Sequence, residues 1–322
     1  MRILSLFSGI GGLDLAVEQA FGAHTLCQVE IDPQCRLVLQ HHWPNALQLT
    51  DVRLARSLAH HDIVCGGFPC TDLSNAGKRK GISKDTRSGL WFEMLRIVKE
   101  VQPKYVVIEN VPQILQEPAW SQVRDPLLAA GYGIRFVRMS AEDVGAPHLR
   151  KRVFVLATKG TEGCQEVLQL TNKKGSALCP TPVHNDKDSR GAGCQQGGQP
   201  LTTVVRNWAS PAHRDFRSGK GRQADNGHSP QLPEQVGGVL NPEWVELLMG
   251  YPKGWTAPMS GTTLPWPAPR GLDQYDFEPP RTLSPRWKDG SAVARRPRVG
   301  MLGNAVVPAQ AIKALEILRD AD

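Results

Sequence analysis

The sequence predicts an α/β fold, an open and mainly parallel sheet with helices on its faces, and three observations predict it. Residues 2–7 read as a strand, Ser8-Gly-Ile-Gly-Gly12 as a turn, and residues 13–20 as a helix by their apolar spacing. Strand, glycine turn and helix form the opening unit of nucleotide-binding α/β proteins. An apolar run at Ile63, Val64 and Cys65 is stopped by Gly66, Gly67 and Pro69, and Cys70 stands where the loop begins. A further run from Tyr105 to Ile108 ends in Glu109 and Asn110. Open α/β sheets bind ligands just outside the carboxyl ends of their strands, so a thiol and a carboxylate arrive at one edge. Their pairing suits covalent catalysis assisted by an acid. Taken singly, each has a plainer reading: most cysteines pack, and a glutamate after a strand often only complements a helix N-terminus.

The remaining elements follow in order. Residues 25–29 form a strand ended by Glu30. An acid about twenty positions beyond a glycine turn suits a ribose diol, whose hydroxyls donate to a carboxylate. Asp51 follows another short segment and is placed to accept from an adenine amino group. Alone, these features fit a dehydrogenase about as well as a methyltransferase, although Gly9, Gly11 and Gly12 do not spell G-x-G-x-x-G. Trp43 reads as a helix-end packing residue. Residues 153–157 form the last strand of the first unit. The composition changes near Lys159: glycine, proline, serine and polar residues dominate to about Val239. Cys164, Cys179, Cys194 and His184 lie in this region without any C-x-x-C pair, so no metal site is expected. Residues 243–249 read as a helix stopped by Gly250-Tyr-Pro252. Residues 257–300 are Pro-rich and basic, with Arg281, Arg286, Lys288, Arg295, Arg296 and Arg298 expected to contact phosphates or to link domains. Residues 308–318 have helical spacing, with Pro308 in the first turn, and are expected to pack back onto the first domain. The division expected is therefore 1–158, 159–299 and 300–322.

Composition narrows the function class. The chain has 322 residues, a net charge of +7 and a pI near 9.1, a balance suited to a nucleic-acid partner. Its seven cysteines are irregularly spaced, which favours a reduced, cytoplasmic protein over a disulfide scaffold. No stretch approaches the roughly 20 apolar residues of a membrane span.

Five segments carry a resemblance: Leu6-Phe-Ser-Gly-Ile-Gly-Gly12, Gly66-Gly-Phe-Pro-Cys70, Glu109-Asn-Val111, Arg150-Lys-Arg152 and Gly303-Asn-Ala-Val-Val-Pro308. In type, order and span they resemble the DNA (cytosine-5) methyltransferase family. Two departures are visible: His148 stands where the family usually has glutamine, and residues 242–252 match its ninth motif only loosely. The resemblance implies a Rossmann-like sheet of the S-adenosylmethionine-dependent methyltransferase type, with a smaller DNA-recognition domain. It implies methyl transfer to carbon 5 of cytosine in a specific duplex sequence. Cys70 would add to carbon 6, Glu109 would stabilise charge at N3, and Arg150 and Arg152 would hold the base oxygen and a nearby phosphate. S-adenosylmethionine would be held by Phe7, Ser8, Gly9, Gly11, Glu30, Ile31, Asp51, Val52, Pro69, Leu90, Asn304 and Val306. The target base must leave the duplex stack. A basic loop carrying Ser74, Lys78, Arg79, Lys80 and Arg87 directly after Cys70 would contact DNA and close over it. A cognate restriction endonuclease is a further implied partner, without a required complex, and the chain is expected to act as a monomer in a bacterial or phage-infected cell. An RNA cytosine-5 methyltransferase of the same fold and a non-catalytic DNA-binding regulator stay open as alternatives.

Overall fold

The computed structural model describes residues 1–56, 58–69, 82, 89–167, 208–216, 231–257 and 291–321, with the backbone alone over 291–294. Among these, β1 (Arg2–Leu6), β2 (His24–Val29), β3 (Leu47–Leu49), β4 (Ile63–Gly66), β5 (Tyr105–Asn110), β6 (Tyr132–Met139), β7 (Arg152–Lys159) and β8 (Cys164–Glu166) form an eight-stranded sheet. Its order is β3-β2-β1-β4-β5-β7-β6-β8. The first five strands pair in parallel and so end along one edge. β7 runs antiparallel to both β5 and β6. Its start, not its end, therefore lies beside the end of β5, with Phe154 opposite Glu109 and Val153 opposite Asn110.

The central strands are apolar on both faces because helices cover both. Alternate residues go to opposite cores: Leu4, Leu6, Val64, Val106 and Ile108 to one, Ile3, Ile63, Cys65 and Val107 to the other. The first core is closed by α3 (Leu90–Val101) and α4 (Ala119–Ala129), through Trp91, Met94, Val98, Trp120 and Val123. The second is closed by α1 (Gly12–Phe21) and by the C-terminal helix Pro308–Asp320, through Leu13, Val17, Ala311, Leu315 and Leu318. That C-terminal helix thus returns to the first unit, as its apolar spacing predicts, with Pro308 in its first turn.

A third core joins the chain after Lys159 to the glycine turn. Trp244, Val245 and Leu248 of Pro242–Leu248, together with Tyr251, Trp255, Val299 and Leu302, surround Ile10 and Leu15. Two expectations bear on this core. The division at 299/300 falls inside the helix Ser291–Asn304, whose buried Val299 and Leu302 lie on either side of it. Of the basic residues expected to contact phosphates or to link domains, two join separate segments of the chain: Arg298 pairs with buried Glu246 at 3.0 Å, and Arg295 donates to the Phe216 carbonyl at 2.9 Å. In chain order, α2 is Pro33–His42, α5 Leu232–Val236, α6 Pro242–Leu248, α7 Ser291–Asn304 and α8 Pro308–Asp320. No helix among the described residues is long and apolar enough to cross a membrane, and no group of three or more His, Cys, Asp or Glu there could hold a metal ion. Cys179, Cys194 and His184 lie outside the described residues.

Candidate active site

The turn after β1 is built from unusual backbone. Phe7 has φ +56°, which an L side chain rarely adopts, and Gly9 and Gly11 follow at +56° and +84°. A Cβ on Gly11 would lie 2.3 Å from the Trp43 ring. Trp43 is thus a packing residue, as expected, and donates its indole N–H to Glu18 at 3.0 Å. The turn is tied to the end of β2: the Ser8 N–H donates to the Val29 carbonyl, and the Gly9 N–H donates to Glu30 Oε2 at 2.8 Å. Glu30 Oε1 accepts from the Asp32 N–H, also at 2.8 Å. Burial raises the Glu30 pKa.

The other residues expected to hold the donor are placed as follows. Ile31 is 65% exposed at the sheet edge, Val52 is buried, and Phe7 and Leu90 pack on the first core. Pro69 ends the described part of the loop after β4. The Val306 carbonyl accepts from the Tyr251 hydroxyl at 2.7 Å and lies against Gly12. Two further positions have partners within the chain. Asp51 gives both oxygens to Arg53, at 2.7 to 3.1 Å, and this partner holds its carboxyl below the usual range. Asn304 reaches His213 Nδ1 at 3.3 Å and lines a cavity with Arg152. A half-buried carboxylate on the turn's backbone, followed in the chain by an exposed aliphatic side chain, is chemistry that suits a nucleoside. Gly9 has open space where a Cβ would stand, so backbone could approach a ligand closely there.

Glu109 stands at the end of β5 and forms an ion pair with Arg152 at the start of β7, Oε1 to Nε, at 2.8 Å. The antiparallel pairing of β5 and β7 is what brings the two together. The other oxygen, Oε2, faces the loop after β4: a Cβ on Gly67 would sit 2.9 Å from it. A side chain at position 67 would push this oxygen aside. Asn110, buried beside Glu109, donates to the Phe68 carbonyl at 3.2 Å and so fixes the chain two residues before Cys70. Its place in the Glu-Asn-Val segment was the signal for it. Phe68 packs on Trp91 with ring centroids 5.4 Å apart. Farther along, Ile82 is buried in the first core and exchanges two hydrogen bonds with Gln122. Cys70, Ser74, Lys78, Arg79, Lys80 and Arg87 lie outside the described residues.

Arg150 has a role other than the expected one. Its guanidinium is buried and donates to the carbonyls of Pro211, Gly303 and Ala305 at 2.5 to 3.2 Å. Burial, with Arg152 nearby, pushes its pKa down to about 9. It clamps residues 208–216 and the end of α7 against β7. Gln310 of α8 supports the same point, donating to the carbonyls of Met139 and Arg150. His148 is buried too, with Nε2 on the Leu248 carbonyl at 3.0 Å, so it packs rather than facing DNA. Replacing Arg150 with methionine leaves three carbonyls without their donor, at roughly 2–4 kcal/mol. The variant is expected to unfold at a clearly lower temperature. Unchanged melting with weakened DNA binding would return Arg150 to the DNA surface. Arg152, Lys151, Ser210, His213 and Asn304 line a cavity of about 540 Å³ beside this clamp.

Comparison with known proteins agrees with this geometry. Residues 1–189 match the family described as C-5 cytosine-specific DNA methylase. The Type II methyltransferase M2.BsuMI of Bacillus subtilis is 30% identical over 264 residues, covering 80% of this chain and 66% of that protein. The Type II methyltransferase M.FnuDI of Fusobacterium nucleatum is 36% identical over 159 residues, covering 48% of this chain and 46% of that protein. The matches thus span less than two thirds of these relatives' own length. Among solved structures, the Entamoeba histolytica methyltransferase EhMeth superposes with a TM-score of 0.62 at 16% identity, over 99% of this chain and 98% of the other. A mutant of Spodoptera frugiperda DNMT2 gives 0.61 at 15% identity over 99% of both chains; these two likenesses concern the fold. The family match over residues 1–189, more than half of the chain, places it in the C-5 cytosine-specific DNA methylase family.

Proposed function

We propose that this protein transfers a methyl group from S-adenosylmethionine to carbon 5 of cytosine in duplex DNA. One observation carries the reading: Glu109, paired with Arg152, presents its second oxygen to the glycine loop that leads from β4 to Cys70. Cytosine C5 is a poor nucleophile until a nucleophile adds at C6. The Cys70 thiolate forms a bond to C6, and the ring's displaced electron pair gathers toward N3. Glu109 Oε2, the oxygen not engaged by Arg152, faces that charge and would stabilise it through a proton shared with N3. The donor supplies an electrophilic methyl group to C5. A base, for which water suffices, takes the C5 proton, and the electron pair so released breaks the C6–Cys70 bond, freeing the thiolate and restoring the ring. Glu30 and the turn at 7–11 orient the nucleoside part of the donor, with Ile31, Val52, Leu90, Pro69 and Val306 around it.

Extruding the base costs a few kcal/mol of stacking. We assign that task to the DNA contacts of Ser74, Lys78, Arg79, Lys80 and Arg87, and sequence reading to the chain between 159 and 299. A cognate endonuclease would be a separate protein that shares the target. The direct test offers labelled donor with duplex DNA and with RNA side by side, followed by bisulfite sequencing of the product. Label in duplex DNA at cytosine C5 is the expected result. Label in RNA alone would make this an RNA enzyme, and no label in either would make it a binding protein.

A further inference from the structure

The mechanism makes no use of a buried carboxylate beneath the donor turn. Asp14, in the first turn of α1, has no exposed surface. Its Oδ2 accepts from the Ser5 hydroxyl at 2.9 Å, and its Oδ1 accepts from the Gln28 amide at 2.8 Å. The Ser8 hydroxyl in turn donates to Ser5 Oγ at 2.9 Å. Ser8 lies between Phe7, in its unfavourable backbone conformation, and Gly9, whose N–H holds Glu30. One polar chain therefore runs from α1 through β1 to the turn, with a branch to β2. Every link requires Asp14 as an acceptor on both oxygens.

We propose that Asp14 is a positioning residue for the methyl donor, fixing the turn at 7–9 and Glu30 through Ser5, Ser8 and Gln28. This rests on the reading of that turn as the donor site. The titratable groups that face Asp14 are Glu18 one turn along its helix, the Cys65 thiol on β4 and the Tyr251 phenol. None of the three is a cation. Burial accordingly pushes the Asp14 carboxyl up to about 6. A raised carboxyl pKa contributes stability below the ordinary value of 3.8 that is lost as pH rises through about 6. At neutral pH the fold thus keeps Asp14 charged at a cost to itself, as functional sites do.

The test measures affinity for S-adenosylhomocysteine by calorimetry, using full-length native protein and Asp14→Asn at pH 8 and pH 5. Asparagine keeps the shape but turns an N–H₂ toward one of two donors, breaking one link. Native protein is expected to bind about tenfold more tightly than Asp14→Asn at pH 8. The ratio should approach one at pH 5, where Asp14 itself is protonated. Because Glu30 titrates in both proteins, the ratio isolates Asp14. A ratio within twofold at pH 8, or equal at both pH values, would overturn the proposal. Should Asp14→Asn not fold, Ser8→Ala cuts the next link and is held to the same ratio. Failure of native protein to bind S-adenosylhomocysteine would instead overturn the donor-site reading itself.

Discussion

Purified Cys70→Ala protein is expected to transfer methyl groups slower by on the order of 10⁶, the scale of loss when a covalent nucleophile is deleted. Affinity for duplex DNA and for S-adenosylhomocysteine should stay near native, because only the bond to C6 is lost. Among the described residues, no other cysteine can replace that thiol. Cys27, Cys35 and Cys65 are buried, and burial raises the pKa of each, that of Cys27 to about 11. A buried neutral thiol is a poor nucleophile. Cys164 is exposed but sits on β8, at the far end of the strand order from β1 and β4. A second readout comes from duplex DNA carrying 5-fluorocytosine. Fluorine cannot leave C5 as the proton does, so native protein should stay bound to this DNA after denaturation, whereas Cys70→Ala should not. Methyl incorporation by Cys70→Ala at a tenth of the native rate would remove Cys70 from the nucleophile's place.

What the sequence made legible was the route of the backbone, and what it hid was the direction of long side chains. The turn at 8–12, the strand ends at Gly66 and Glu109 and the returning helix at Pro308 follow from local rules. Apolar runs, glycine stops and helical spacing act over a few residues. The orientation of β7 does not, since the apolar run from Val153 to Ala157 reads alike in either direction. Yet that orientation decides that Arg152 meets Glu109. The Arg-Lys-Arg segment shows the limit most sharply. Arg150 and Arg152 stand two apart, but one turns inward to carbonyls from Pro211, Gly303 and Ala305 and the other stays at the sheet edge. Partners so distant in the chain leave no local trace. The same holds for Arg298, whose partner Glu246 lies on another helix. Gln310 was missed for this reason, and the motif around Asn110 marked its place but not its partner, as both act on backbone carbonyls that the fold alone brings near.

Glu109→Gln should slow methyl transfer by roughly 10²–10⁴, the usual contribution of a positioned acid. Glutamine fills the same space and can still donate an N–H toward N3, but it cannot deliver a proton. The ion pair with Arg152 becomes a neutral contact, and Arg152 is 17% exposed, so solvent compensates in part and the fold should survive. Arg152→Ala separates orientation from acidity. It frees Glu109 Oε1 while keeping the carboxyl, so its rate should fall by less than that of Glu109→Gln if Arg152 mainly aims the acid. If the two variants act on one step, the double variant should be no slower than Glu109→Gln alone, since groups that act as a unit are not additive. Single-turnover rates on duplex DNA, with affinity for S-adenosylhomocysteine measured in parallel, make the comparison. Unchanged affinity with the predicted order of rates places both residues at the base. Near-native turnover of Glu109→Gln would mean that the charge at N3 is met by another group, and the pairing of Glu109 with Arg152 would then serve only to join β5 to β7.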